Sequence, residues 1–210
     1  MSLNKDGIMV ILSSPSGAGK TTLVKKISNL KNFFISISYT TRIPRLNEEN
    51  GKDYFFINQK EFDNLVKNDQ LLEYASVFNN SYGSSKKKVY ELLEKGKNVI
   101  FDIDWQGTKQ IKEKNLKFKL ITFFILPPSK KTLKNRLSER ENNNEKIINE
   151  RMKKFDSDIQ HWVDYDFVVI NDNLEICLKE ITDKIDQSLK NAELSFNKEK
   201  IKNHVDFLLK

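Results

Sequence analysis

What this chain has little of narrows its class before any motif is considered. It has one cysteine, Cys177, which leaves no disulfide framework and no cysteine-rich zinc site, and which fits a reducing compartment. Seven glycines and four prolines in 210 residues exclude collagen and low-complexity linkers. No apolar run approaches the ~18–20 residues of a membrane span. The first residues, Met1 to Gly7, lack the apolar core of a secretory leader. Two histidines, His161 and His204, stand without a carboxylate or cysteine cluster at ligand spacing, and read as surface or packing residues with no protein-held metal. The expectation is a soluble cytoplasmic protein of one mid-sized domain, with room for a lobe or a lid.

Arginine is scarce too, and its scarcity is informative. The net charge of +7 reflects 36 basic and 29 acidic residues, but 31 of the basic ones are lysines spread along the whole chain. That is a compositional leaning toward lysine, not a nucleic-acid patch. The five arginines fall in two clusters, Arg42 with Arg45, and Arg136, Arg140 and Arg151. Arginine grips phosphate or carboxylate with a planar fork, where lysine is a hydrated point charge. Two phosphate-gripping regions are expected.

Along the chain, residues 8–13 form a short continuous apolar run, the pattern of a strand buried on both faces. Ser14–Thr21 is a glycine-bearing loop, and Leu23, Val24, Ile27 and Leu30 then recur at helical spacing. Strands are expected at 33–38, 54–57, 98–103, 118–126 and 167–170. Helices are expected at 61–71, 86–95, from Ser129 through Arg140, at 146–160, at 174–189 and over the terminal 201–209. No internal repeat is present. Strands alternating with helices predict an α/β fold: a parallel-sheet core with helices on both faces. The polar 39–85 stretch interrupts the alternation and reads as an insertion.

The loop after the first strand nearly matches Gly-x-x-x-x-Gly-Lys-Ser/Thr, a phosphate cradle. It runs Ser14-Pro15-Ser16-Gly17-Ala18-Gly19-Lys20-Thr21, with serine in the first glycine's place. Its backbone amides and the following helix N-terminus suit an anion. Lys20 would reach the β and γ phosphates, and the Thr21 hydroxyl would ligate Mg²⁺. Asp102 and Asp104 close an apolar run, where strand alternation would put both carboxylates on one face, about 7 Å apart. One would suit Mg²⁺ or its water and the other an acceptor; solvated acids at a strand end are the plainer alternative.

At this point the chain resembles the guanylate kinase family, most of all its bacterial members. The resemblance covers roughly residues 8–190. It rests on the loop, Thr40-Thr-Arg-Ile-Pro-Arg45, Asn50-Gly-Lys-Asp-Tyr54, Leu72-Glu-Tyr-Ala75, Tyr82-Gly-Ser84, Asp102-Ile-Asp-Trp-Gln-Gly107, Pro127-Pro-Ser129 and Asn171-Asp172, in the family's order. It implies transfer of the γ-phosphoryl group of ATP to GMP, and to dGMP, with Mg²⁺ arriving as part of the co-substrate. It implies a core of residues 1–37 and 89–210, an inserted mixed α/β GMP-binding lobe at 38–88, and a small helical lid at 137–150.

The same resemblance assigns roles. Ser14, Pro15, Ser16, Gly17, Ala18, Gly19, Lys20, Thr21, Arg136 and Asn171 face ATP. Thr21, and Asp102 through water, face the metal. Arg42 and Arg45 grip the GMP phosphate with Tyr54 and Tyr82, while Ser38, Glu73, Ser84 and Asp104 face the guanosine. Lys20, Arg42, Arg136, Arg140 and Arg151 carry catalysis. Glu141 stands where the family commonly has glycine; an acid beside bound phosphate is unfavourable, so it is expected to point outward. Asn142-Asn-Asn144 has no assigned chemistry. The partners are small molecules, with neither nucleic acid nor membrane, and the chain is a monomer or homo-oligomer. Two alternatives are a kinase-like scaffold domain that binds phosphopeptides, argued against by Lys20 and Thr21, and a kinase for another nucleotide, argued against by Glu73 with Ser84.

Overall fold

The computed structural model describes residues 6–190 and 196–210. The sequence reading of the first five residues, and the part of the 190–210 tail at 191–195, lie outside the described residues. In chain order the elements are β1 (Met9–Ser13), α1 (Lys20–Lys31), β2 (Phe34–Ile35), β3 (Ser38–Thr40), β4 (Phe55–Phe56) and α2 (Gln59–Lys67). There follow β5 (Leu71–Val77), β6 (Asn80–Ser85), α3 (Lys86–Glu94), β7 (Val99–Asp102), α4 (Trp105–Glu113) and β8 (Leu120–Leu126). The chain then runs through α5 (Lys130–Arg140), α6 (Glu145–Asp158), a 3₁₀ turn at Ile159–Asp164, β9 (Phe167–Ile170), α7 (Leu174–Leu189) and α8 (Lys198–Leu209).

The chain divides into two compact units. One holds the described residues up to Ile11 with Asn32–Leu120; the other holds Leu12–Lys31 with Ile121–Lys210. In the first, β2 and β7 pair in parallel, Phe34 opposite Val99. A second sheet has the order β4-β3-β6-β5. Its β5–β6 hairpin turns at Phe78 and Asn79, both with positive φ (49° and 60°), as a tight primed turn demands. Met9, Ile11, Leu72, Val89, Leu93, Val99, Phe101 and Ile111 are buried together as the apolar core of this unit. Helix α2 opens on a reciprocal cap, in which Asn58 accepts from the Glu61 amide and Glu61 from the Asn58 amide.

In the second unit β8 and β9 pair in parallel, Phe123 opposite Phe167, with those two rings 5.1 Å apart. Helix α1 buries Leu23, Val24 and Ile27, and packs on α7, which buries Ile181 and Ile185. Ser129, Asn144, Asn173 and Asn197 cap α5, α6, α7 and α8 through their side chains. Burial pushes the Cys177 thiol up to about 12, so it stays protonated and packs as a small apolar group. Among the described residues no helix is long and apolar enough to cross a membrane.

The structure adds β5, β6 and α4, which the sequence reading did not foresee, and departs from it elsewhere. The strand expected at 33–38 is two strands belonging to different sheets. The helix expected to reach Leu71 stops at Lys67, because Leu71 starts β5; Glu73 lies in a strand and not at a helix end. The strand expected at 98–103 ends at Asp102, and Asp104 is instead the N-cap of α4, so the two acids do not share a strand face.

Candidate active site

The second unit holds the phosphate loop between β1 and α1. Gly17 and Gly19 have φ of 92° and 94°, in the region that favours glycine. Space demands glycine as well. A Cβ on Gly17 would come within 2.9 Å of Leu137 Cγ, and one on Gly19 would collide with the Asn171 amide nitrogen. Ser14 is not among the residues with positive φ, which is the condition under which serine can stand in the first position. Its hydroxyl donates to the Pro15 carbonyl at 2.9 Å, and the Ala18 amide donates to the same oxygen at 3.3 Å, so the loop closes on itself. Lys20 opens α1, half-buried, and Thr21 follows it, exposed.

Asn171, at the end of β9 and 3% exposed, ties this loop to α5. Its side-chain amide donates to the Ala18 carbonyl at 2.8 Å, and its own carbonyl accepts from Arg136 Nη2 at 3.2 Å. Arg136 Nη1 and Asn171 Oδ1 are buried without a hydrogen-bond partner among the described residues. Buried polar atoms are nearly always satisfied, so an orphaned cationic donor beside a glycine loop fits a site that awaits an anionic ligand.

Arg140 and Arg151 converge on the loop. Both donate to the Ser16 hydroxyl, at 2.9 and 2.8 Å. Between them lies Glu141, whose carboxylate accepts from Arg140 Nε at 2.9 Å and is 3.3 Å from Arg151 Nη2. The expectation that Glu141 points outward is therefore wrong: its side chain is 9% exposed. Two guanidinium groups held close together need an anion, and this carboxylate supplies one.

In the first unit, three polar side chains line up across neighbouring strands. The register sets Ser38 on β3 opposite Ser84 on β6, and Ser84 opposite Glu73 on β5. The Ser84 hydroxyl donates to Glu73 Oε1 at 2.7 Å, and the two serine hydroxyls are 3.5 Å apart. All three are buried, Glu73 at 3% exposure. A register shift between Leu71 and Glu73 explains how consecutive residues Leu71, Leu72 and Glu73 are all buried, since a bulge re-aims a side chain that plain alternation would turn out.

Helix α4 fixes that acid from behind. Gln110 donates to the Tyr74 carbonyl at 2.6 Å and accepts from the Tyr74 amide at 3.1 Å, clamping the next residue of β5. Gly107 has no Cβ because one would collide with Glu73 Oε2. Asp104 Oδ1 accepts from the Gly107 amide at 3.1 Å and Oδ2 from Gln106 Nε2 at 2.9 Å, so this carboxylate organises the first turn of α4.

The other arginine pair belongs to this unit. Glu48 accepts from Arg42 Nη2 with both oxygens, at 2.8 and 2.9 Å, from the Arg45 amide at 2.8 Å, and from Arg45 Nη1 at 3.4 Å. Arg42 also lies over the Tyr54 and Phe56 rings, 5.4 and 5.9 Å from their centres, and the Tyr54 and Tyr82 rings are 6.0 Å apart. Burial opposes the Arg42 charge, but hydrogen bonding to Glu48 and the negative groups around it raise its pKa above the ordinary arginine value. Burial would likewise raise the Glu48 carboxyl, yet the Arg45 amide and the Arg42 guanidinium hold it below its ordinary value. Tyr54 is pushed up by burial first and by Asp102 second, so it remains a hydroxyl donor.

Residues 7–188 match the family model described as guanylate kinase. A guanylate kinase of Buchnera aphidicola subsp. Acyrthosiphon pisum is 46% identical over 84% of this chain and 86% of its own length. One from Rickettsia prowazekii is 46% identical over 86% and 91%. The chain belongs to the guanylate kinase family. A crystal structure of guanylate kinase from Anaplasma phagocytophilum, 33% identical, superposes with a TM-score of 0.73 over 88% of this chain and 87% of that one. The α/β fold with a parallel core sheet flanked by helices is that of guanylate kinases, and the chain is an enzyme of this family, a kinase. Sequence reasoning did not foresee that Glu48, Gly107 and Gln110 help to hold these side chains, and it turned Glu141 outward. For Glu48 a signal existed: it is the acid nearest the scarce pair Arg42 and Arg45. Gly107 and Gln110 carried none, because their role depends on a helix the sequence reading did not foresee.

Proposed function

We propose that the chain transfers the γ-phosphoryl group of ATP to GMP, giving ADP and GDP, and accepts dGMP in the same way. The observation that carries this reading is Glu73, a buried carboxylate hydrogen-bonded to Ser84. Guanine presents N1–H and N2–H₂ side by side, two donors that suit a carboxylate; adenine presents a lone pair at N1 and is repelled. A site built on a buried polar group of this kind rejects the wrong base by ~10⁴ or more. Ser38 and Asp104 complete the guanosine contacts. Arg42 and Arg45 take the GMP phosphate, exchanging Glu48 for it, with Tyr54 and Tyr82 adding hydroxyl donors.

On the donor side, the loop of residues 14–19, through its backbone amides other than at Pro15, and Lys20 hold the ATP phosphates, and Arg136 and Asn171 bring the orphaned atoms described above. Magnesium enters with ATP; Thr21 gives it a hydroxyl ligand and Asp102 a water-mediated partner. Among the described residues no group of three or more histidines, cysteines, aspartates or glutamates could hold a metal ion. Phosphoryl transfer needs alignment and charge stabilisation more than covalent chemistry. The acceptor phosphate is already ionised, so the site needs no general base. Arg136, Arg140 and Arg151 offset charge on the moving group. Residues 1–37 and 89–210 act as the nucleotide core, 38–88 as the GMP lobe and 137–150 as a lid that closes to expel water. We read the chain as cytoplasmic, with small molecules as its partners.

Coupled ADP release tests the reading. With ATP and Mg²⁺, GMP and dGMP should drive turnover while AMP, UMP and RNA leave it at background. Equal rates with AMP would overturn the guanine assignment.

A further inference from the structure

We propose that Glu141 is a positioning residue that stands in for phosphate: it holds Arg140 and Arg151 over the loop until a nucleotide displaces it, and so sets how tightly the donor site binds. This rests on reading those arginines as ligands of the ATP phosphates.

A carboxylate is the protein group whose paired oxygens most resemble those of a phosphate, and guanidinium binds both through the same fork. Glu141 Oε1 accepts from Arg140 and pairs with Arg151 at 3.3 Å, while the same two side chains reach Ser16 Oγ, in the middle of the phosphate loop. Its backbone is fixed as the C-cap of α5, with its amide donating to the Leu137 carbonyl at 2.9 Å. The carboxylate therefore stays tethered beside the arginines after it is displaced.

The asparagine run, without chemistry in the sequence, builds this arrangement. Asn142 and Asn143 both have positive φ, 49° and 58°, a conformation that asparagine tolerates better than most residues. The Asn143 amide donates to the Ser138 carbonyl at 2.8 Å and the Asn144 amide to the Glu141 carbonyl at 3.0 Å, closing the end of α5. Asn144 then caps α6. The turn reverses the chain within four residues and returns Arg151, on α6, to Arg140, on α5, with Glu141 between them.

The test uses the full chain and two probes, ATP and inorganic tripolyphosphate, titrated by calorimetry without GMP. E141Q keeps the size of the side chain and removes its charge; E141G removes the side chain altogether. Both should bind either probe about fivefold more tightly than the wild type or better, the scale of one close charge pair. E141D, which keeps a carboxylate, should stay within about twofold, and kcat at saturating ATP should move less than the ATP KM. If E141Q and E141G are folded and bind no more tightly than the wild type, the role is overturned. Failure of both to fold would make Glu141 a stability residue and overturn it equally. Should the wild type bind neither probe, the donor-site reading falls together with this one; should it bind both and the variants match it, this one falls alone.

Discussion

Arg42 and Arg45 share one loop with their acid, Glu48, and Arg42 also lies over the Tyr54 and Phe56 rings. Arg140 and Arg151 come from two helices; Arg140 pairs with its neighbour Glu141, Arg151 reaches that acid because a turn returns one helix to the other, and both lean on Ser16, more than a hundred residues away in the chain. Both pairs are thus occupied by a carboxylate, but the first is assembled locally and the second by tertiary structure. The lesson concerns robustness. A local clasp forms as soon as its loop forms, while the donor-side clasp depends on α5, α6 and the loop all being in place.

The largest effect expected tests the donor side. Lys20→Ala should lower turnover by ~10²–10³, the loss of one contact to developing charge, with the melting temperature nearly unchanged. Steady-state turnover equal to the wild type would remove Lys20 from the reaction. Next, Glu73→Gln should raise the GMP KM about tenfold or more, because an amide opposes one of guanine's donors with another, while the ATP KM stays put. A larger change in the ATP KM would break the division of labour between the two regions.

How much of this was legible in the sequence follows the same line between local and tertiary. The phosphate loop could be read because its residues are consecutive and its chemistry is backbone chemistry. The scarce arginines could be read because lysine abundance made them conspicuous. Glu73 could not be placed, since a bulge lets three successive residues of β5 turn inward and hides the strand's alternation. Glu141 was misread on charge alone: beside a bound phosphate an acid is unfavourable, but the ligand-free pair of guanidinium groups attracts one. Helix α4 escaped notice because its buried residues, Gly107, Thr108 and Ile111, give only a short apolar stripe.

The smallest effect concerns the acceptor clasp. The Glu48 carboxyl is held below its ordinary value, 4.5, so its bonds contribute fully above that pH and are lost as pH falls through the lowered value. Glu48→Gln should therefore lower the melting temperature near neutrality by about 2–4 °C, the response of a chain this size to roughly 1 kcal/mol. The gap should narrow below the ordinary carboxylate value and close once pH has fallen through the lowered one. A gap that persists there would mean that Glu48 acts through packing and not through its charge.

The meeting of Gly19 with the Asn171 side chain also limits how this chain can change over generations. Enlarging the first strikes the second, and altering the second frees a main-chain oxygen at Ala18. Neither position can drift alone, so descendants should keep or lose the two together, and a library randomised at both should return the original pair far more often than either half of it.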